Sequence, residues 1–141
     1  MLDKFQGTKS MRKLDMFLEY ACKGYALLVI DDISIVHEME IYIAEKKSTC
    51  VYDFELITHR EMLWDLDNQR DTEVIIFSNF SKNRKKTIDN MERFNLGRDL
   101  ILSKANCCFF ILPTFAASYV FHELPNLFDY FQLKESFTAY K

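Results

Sequence analysis

A three-layer, doubly wound α/β fold with a mainly parallel sheet is predicted by three features of this sequence. Short apolar runs alternate with longer segments of helical spacing, the order that makes strand–helix–strand crossovers. The runs Tyr25–Ile30, Glu73–Phe77 and Cys107–Leu112 are nearly unbroken, as strands covered by helices on both faces must be. Only three glycines and two prolines occur, with no extended polar stretch, so the 141 residues hold no interdomain linker. Residues 1–141 therefore read as a single domain, with residues 1–7 as a flexible leader.

The elements follow in order. From about Thr8 to Lys23, Met11, Leu14, Phe17, Leu18 and Ala21 keep the three-and-four spacing of an amphipathic helix, which Gly24 ends. Tyr25–Ile30 is the first strand, and Asp31 or Asp32 caps the next helix, on which Val36, Met39 and Ile43 are spaced up to Lys46 and Lys47. Cys50–Ile57 alternates, with Tyr52, Phe54 and Leu56 on one face and Asp53 and Glu55 on the other, the pattern of an edge strand. Thr58 and Glu61 form a capping box for a helix carrying Met62, Leu63 and Leu66, which frays near Gln69. Glu73–Phe77 is a buried strand and Ile88–Lys104 one long helix. Cys107–Leu112 is a third buried strand, stopped by Pro113. Thr114 caps a helix from Phe115 to Glu123, Pro125 closes it, and the tail adds a short strand around Glu135–Ala139.

Composition narrows the function classes. A formal charge of -3, with both signs mixed along the chain, is no electrostatic footprint for nucleic acid or an anionic membrane. The one basic run, Lys82-Asn83-Arg84-Lys85-Lys86, reads as a solvated loop or helix start. No apolar run is long enough for a transmembrane helix, and no signal peptide is seen. Cys22, Cys50, Cys107 and Cys108 make no CxxC pair, and His37, His59 and His122 are scattered, so no zinc spacing appears; buried thiols in a reducing cytoplasm are the simplest account. No cofactor is expected.

In an open α/β sheet ligands sit beyond the carboxyl ends of the strands. A phosphate-binding loop there reads GxxxxGK[ST], whose amides and lysine hold the phosphates. This chain reads Ile30-Asp-Asp-Ile-Ser-Ile-Val-His37, without glycine or lysine and with two carboxylates that repel phosphate. After the third strand, Phe77-Ser-Asn-Phe80 lacks the acids that hold magnesium. No nucleophile elbow occurs, and an enzyme is not expected. Arg98 sits within the apolar stripe of Ile88, Met91, Phe94, Ile101 and Leu102, with Asn95 beside it. Either its stem packs and its head reaches solvent, or it bonds a carboxylate (Asp31, Asp32 or Asp129) or strand-end carbonyls and organises the carboxyl edge of the sheet.

Two resemblances rest on these residues. Leu28-Val29-Ile30-Asp31-Asp32 resembles the start of a response-regulator receiver, but the phosphoacceptor position holds Ser78 or Asn79 and the lysine position holds Pro113-Thr114, which leaves a pseudo-receiver as the alternative. The stretch from Phe94 through Asn95, Arg98 and Asp99, the strand ending in Pro113, and Leu124-Pro125-Asn126-Leu127 before Phe137 resemble the C-terminal part of STAND-type P-loop ATPases. They are most similar to small inactivated versions in bacterial conflict and signalling systems, with the match strongest over residues 74–138. Asn126 and Phe128 depart from that pattern, which has aspartate and tryptophan there. The resemblance implies a degenerate P-loop NTPase-like fold and a cytoplasmic, non-catalytic adaptor or sensor in antiviral defence or signalling. Its partner would be an effector or signalling protein, and self-association is compatible with it. Asp31, Asp32, Asn95, Arg98, Asp99 and Asp129 are the residues expected at the ligand edge or in its structural support.

Overall fold

Gly24 leaves the first helical segment at φ +80°, a conformation that costs an L side chain about 1–2 kcal/mol, and the chain turns there into its first strand. The structure, a computed structural model, describes residues 2–21, 23–68, 72–78, 83–104 and 107–138. Helix α1 spans Lys9–Met16 and continues as a π turn over Phe17–Ala21. Strand β1 (Gly24–Val29), α2 (Ile33–Ala44), β2 (Thr49–Asp53), α3 (His59–Leu66) and β3 (Val74–Ser78) follow. Next come α4 (Arg84–Leu96), α5 (Arg98–Lys104), β4 (Cys107–Leu112), α6 (Thr114–Glu123), α7 (Pro125–Tyr130) and β5 (Phe131–Ser136).

All five strands are parallel, in the order β2-β3-β4-β1-β5, and β2 is the edge strand its alternation predicts. Helices cover both faces. Ala26, Leu28, Val74, Ile76, Cys107, Phe109 and Ile111 face Leu14, Leu18, Ile35, Met39 and Ile43. Tyr25, Leu27, Ile75, Phe77, Cys108 and Phe110 face Met62, Met91, Phe94, Ile101 and Val120. Cys107 and Cys108 thus enter opposite cores, as alternation along a strand requires, and both are buried. Phe94 is the hub of the second core, edge-on to Phe54 and Phe110 and tilted against Phe77. Burying a side chain of that size contributes about 2–3 kcal/mol.

Several local expectations are corrected. Leu2–Phe5 is one 3-10 turn rather than a loose leader: Leu2 is buried, and Phe5 packs edge-on to Phe137 at 5.4 Å. The long helix over Ile88–Lys104 is two helices, broken at Gly97, where the guanidinium of Arg98 takes the backbone carbonyl of Asn95. β2 ends at Asp53, whose carboxylate accepts the Glu55 N–H and turns the chain, so Leu56 is 80% exposed instead of facing the core. α6 ends at Glu123, before Pro125, but Pro125 also opens α7, and the last strand begins at Phe131 rather than around Glu135. The Thr58–Glu61 capping box forms as expected. Met1, Cys22, Gln69, Asn79, Phe80, Lys82, Ala139 and Tyr140 lie outside the described residues.

His59, first residue of α3, is buried against Phe54 and Phe94, and its Nδ1 has no hydrogen-bond partner among the described residues. Burial, with Arg93 adding repulsion, lowers its pKa from 6.5 to about 4. The folded state therefore favours the neutral ring, so this contribution is complete above pH 6.5 and declines as pH falls towards 4. Urea denaturation from pH 7 downwards should show stability falling before the carboxylates titrate at about 4, and His59→Phe should remove that early fall. An unchanged profile in the variant would refute the assignment.

Candidate functional site

The strand order defines where a ligand would sit. From β1 the chain crosses to β2 over α2 on one face of the sheet; from β4 it crosses the other way, to β5, over α6 and α7. The topological switch point is the crevice beyond the carboxyl ends of β1 and β4. Two helices of eight or more residues begin there, α2 and α6, and each presents unpaired backbone N–H groups and a positive dipole end.

Both ends are met by carboxylates of the chain. Asp32 is the N-cap of α2, accepting from the Ser34 N–H at 2.9 Å and from its hydroxyl at 2.7 Å. Those bonds from Ser34 hold the Asp32 carboxyl below the ordinary carboxylate range. Asp31 reaches across the crevice: one oxygen accepts the Thr114 N–H at 2.7 Å and the other the Thr114 hydroxyl at 2.6 Å. Thr114 is thus the first residue of α6 rather than its cap, and the capping carboxylate comes from a strand 83 positions earlier. The positions at which a bound anion would collect are filled from within.

Deeper along α2, Glu40 accepts from the Ser78 hydroxyl at 2.8 Å and lies 3.6 Å from Nδ1 of His37. A carboxylate therefore does stand beside the end of β3, brought by α2. Ser78 is fully buried, and its bond to Glu40 ties α2 to the end of β3. Among the described residues no group of three or more His, Cys, Asp or Glu is placed to hold a metal ion.

The remaining predicted residues lie at the opposite end of the sheet. The Tyr25 hydroxyl donates to the backbone carbonyl of Arg98 at 2.8 Å, and Tyr25 is level with Cys108 and Phe131 near the starts of β4 and β5. Arg98 bonds the side-chain oxygen of Asn95 at 3.3 Å as well as its carbonyl, and its guanidinium lies 5.3 Å from the Tyr130 ring centre. Asp99 accepts from the Tyr130 hydroxyl, which raises the Tyr130 pKa. Asp129 is an exposed residue of α7. Neither it nor Asp31 or Asp32 pairs with Arg98 among the described residues, so the expectation that Arg98 organises the carboxyl edge is overturned. The reason is geometric: helices run antiparallel to the strands they cover, so the end of α4 lies at the amino edge.

Sequence reasoning also missed a cleft of about 590 Å³ between β2 and α3, lined by Val51, Leu56, Ile57, Arg60 and Trp64 among others. Val51 is 41% exposed and Trp64 74%. Trp64 lies off the stripe of Met62 and Leu66 that α3 buries, the one sign of it in the sequence.

No family model, no curated protein and no solved structure matches this chain. No helix of the described residues is long and apolar enough to cross a membrane.

Removing the bridging carboxylate in Asp31→Ala should cost about 1–2 kcal/mol, as for other lost helix caps, with Asp31→Asn retaining part of it in thermal denaturation. Arg98→Ala should lower stability by about 1–2 kcal/mol through loss of the Tyr130 contact and the two Asn95 bonds, against little change for Lys85→Ala on the exposed face of α4. An unaltered melting temperature in either variant would contradict the role given to that residue.

Proposed function

We propose that this chain is a non-catalytic protein-interaction and regulatory module, an adaptor or sensor of the inactivated STAND-type P-loop kind used in bacterial defence and signalling. The observation that carries the reading is the Asp31–Thr114 bridge, which takes the first backbone N–H of α6, where a nucleotide phosphate would dock. Two further observations support it. β1 and β2 are not neighbours, with β4 and β3 between them, where a P-loop-like core inserts a strand and a receiver would pair β1 with β2 directly. Apolar side chains are meanwhile exposed in the cleft between β2 and α3, a surface suited to another protein.

The reading places the protein in the bacterial cytoplasm, working by what it holds. A site with its own carboxylates at both helix ends repels phosphate oxygens, and no lysine follows β1 to offset that charge. Calorimetric titration with ATP or GTP in the presence of magnesium should give no saturable heat, and incubation should release no phosphate. Saturable micromolar binding or turnover would overturn the proposal.

A further inference from the structure

We infer that the cleft between α6, α7 and the strands β1 and β5 binds a small carboxylic acid with an apolar body, its carboxylate held by Lys134. The inference rests on the reading of the chain as a sensor and names the class of molecule sensed. The cleft has a volume of about 950 Å³, ample for a small ligand, and lies beside the switch point, where ligands of open α/β sheets bind. Leu27 and Val29 of β1 form its floor, and Ala117 and Phe121 of α6 with Phe128 of α7 form its wall. The rings of Phe121 and Phe128 meet edge-on with centres 5.0 Å apart, and Phe121 is 55% exposed. An aromatic surface is thus left in water unless the cleft is filled.

Charge names the occupant. Register sets Lys134 level with Leu27 and Ser136 level with Val29, so both stand on the cleft face of β5. Glu135, between them, turns to the other face, where it accepts from the Ser10 hydroxyl at 2.8 Å and lies 3.6 Å from Nζ of Lys13. The other carboxylate of the lining, Asp31, has both oxygens on Thr114. Lys134 is thus the one cation of the lining, and it makes no ion pair among the described residues; its ammonium lies 4.6 Å from the Phe128 ring centre. The ring face attracts that charge without accepting its N–H groups as an oxygen would. The hydroxyls of Ser118, Ser136 and Thr138 also line the cleft and have no hydrogen-bond partner among the described residues. One uncompensated positive charge beside an apolar wall fits one negative charge on an apolar body. A phosphate dianion or a nucleotide brings more charge than Lys134 offsets and is repelled by Asp31, so the cleft favours a monoanion.

Titration of the isotope-labelled chain with octanoate and with naphthoate, an aliphatic and an aromatic acid, followed by amide NMR, tests this directly. The expected result is saturable shifts at Val29, Ala117, Ser118 and Ser136 with at least one of the two acids. Replacing that acid by its neutral alcohol, or Lys134 by methionine in Lys134→Met, should weaken binding by about 10-fold or more, the scale of a lost charge-assisted hydrogen bond. Lys13→Met, which removes a lysine from the far face of β5, should leave the affinity unchanged. Ser118→Trp, at an exposed position of α6, sets a ring into the cleft and should abolish binding with unaltered far-ultraviolet circular dichroism. Silence from both acids, an alcohol that binds as tightly as its acid, or an affinity untouched by Lys134→Met would overturn the inference. Octyl phosphate binding more tightly than octanoate would overturn the preference for a monoanion. Failure of the acids to bind leaves the non-catalytic module standing, whereas nucleotide binding or turnover would strike that reading without altering the titration with the acids.

Discussion

The bond pair from Asp31 to Thr114 joins the two strands whose connections diverge, and the rest of the molecule is arranged around that junction. Opposed crossovers from β1 and β4 would leave a crevice between two positive helix ends. A ligand usually supplies the negative charge there. In this chain Asp31 serves α6 from the end of β1 and Asp32 serves α2, so each helix end is satisfied by a residue on the adjoining strand–helix turn. Each carboxylate thus takes a backbone N–H of the first turn that an anion would otherwise meet.

The amino end of the sheet is built by another rule. Tyr25, Tyr130, Arg98, Asn95 and Asp99 form a connected set of aromatic faces and hydrogen bonds around the break between α4 and α5. Gly97 interrupts the helix, and the side chain of Arg98 takes up a carbonyl that the interruption frees. Burial raises the Tyr25 pKa strongly, so its hydroxyl stays protonated and keeps donating to the Arg98 carbonyl. Here the charged residues fasten a kinked helix pair to the sheet; at the carboxyl end they occupy a binding position.

Periodicity made the sheet legible because parallel strands buried on both faces and helices buried on one have patterns that survive without context. The runs Tyr25–Ile30 and Cys107–Leu112, the Thr58–Glu61 box and the edge character of β2 all followed from spacing and local chemistry. What spacing could not carry was any contact set by topology. Thr114 has the composition of a cap, yet its cap is Asp31, because strand order brings them together over a separation of 83. Arg98 has the surroundings of an organising residue, but which end of the sheet it serves depends on helix direction, and an apolar stripe reads the same both ways. Leu56 continued an alternation that Asp53 had already ended by turning the backbone through its own side chain.

The apolar surface that this fold leaves open lies in two places, one beside the switch point and one at β2. Apolar groups of a ligand-binding α/β domain are ordinarily gathered into the switch-point crevice, where a cofactor covers them. Here a cleft of about 950 Å³ beside Asp31 and Thr114 is lined by Leu27, Val29, Phe121 and Phe128, and apolar surface elsewhere must be met by protein or remain in water. On this chain Val51, Leu56 and Trp64 lie at the edge strand β2, whose one charge is Asp53 at its end. Isolated exposed leucines are common and carry no message, but three apolar side chains around a cleft on an unblocked strand join hydrophobic burial to free backbone hydrogen bonding. The two driving forces act at the same place and in the same direction.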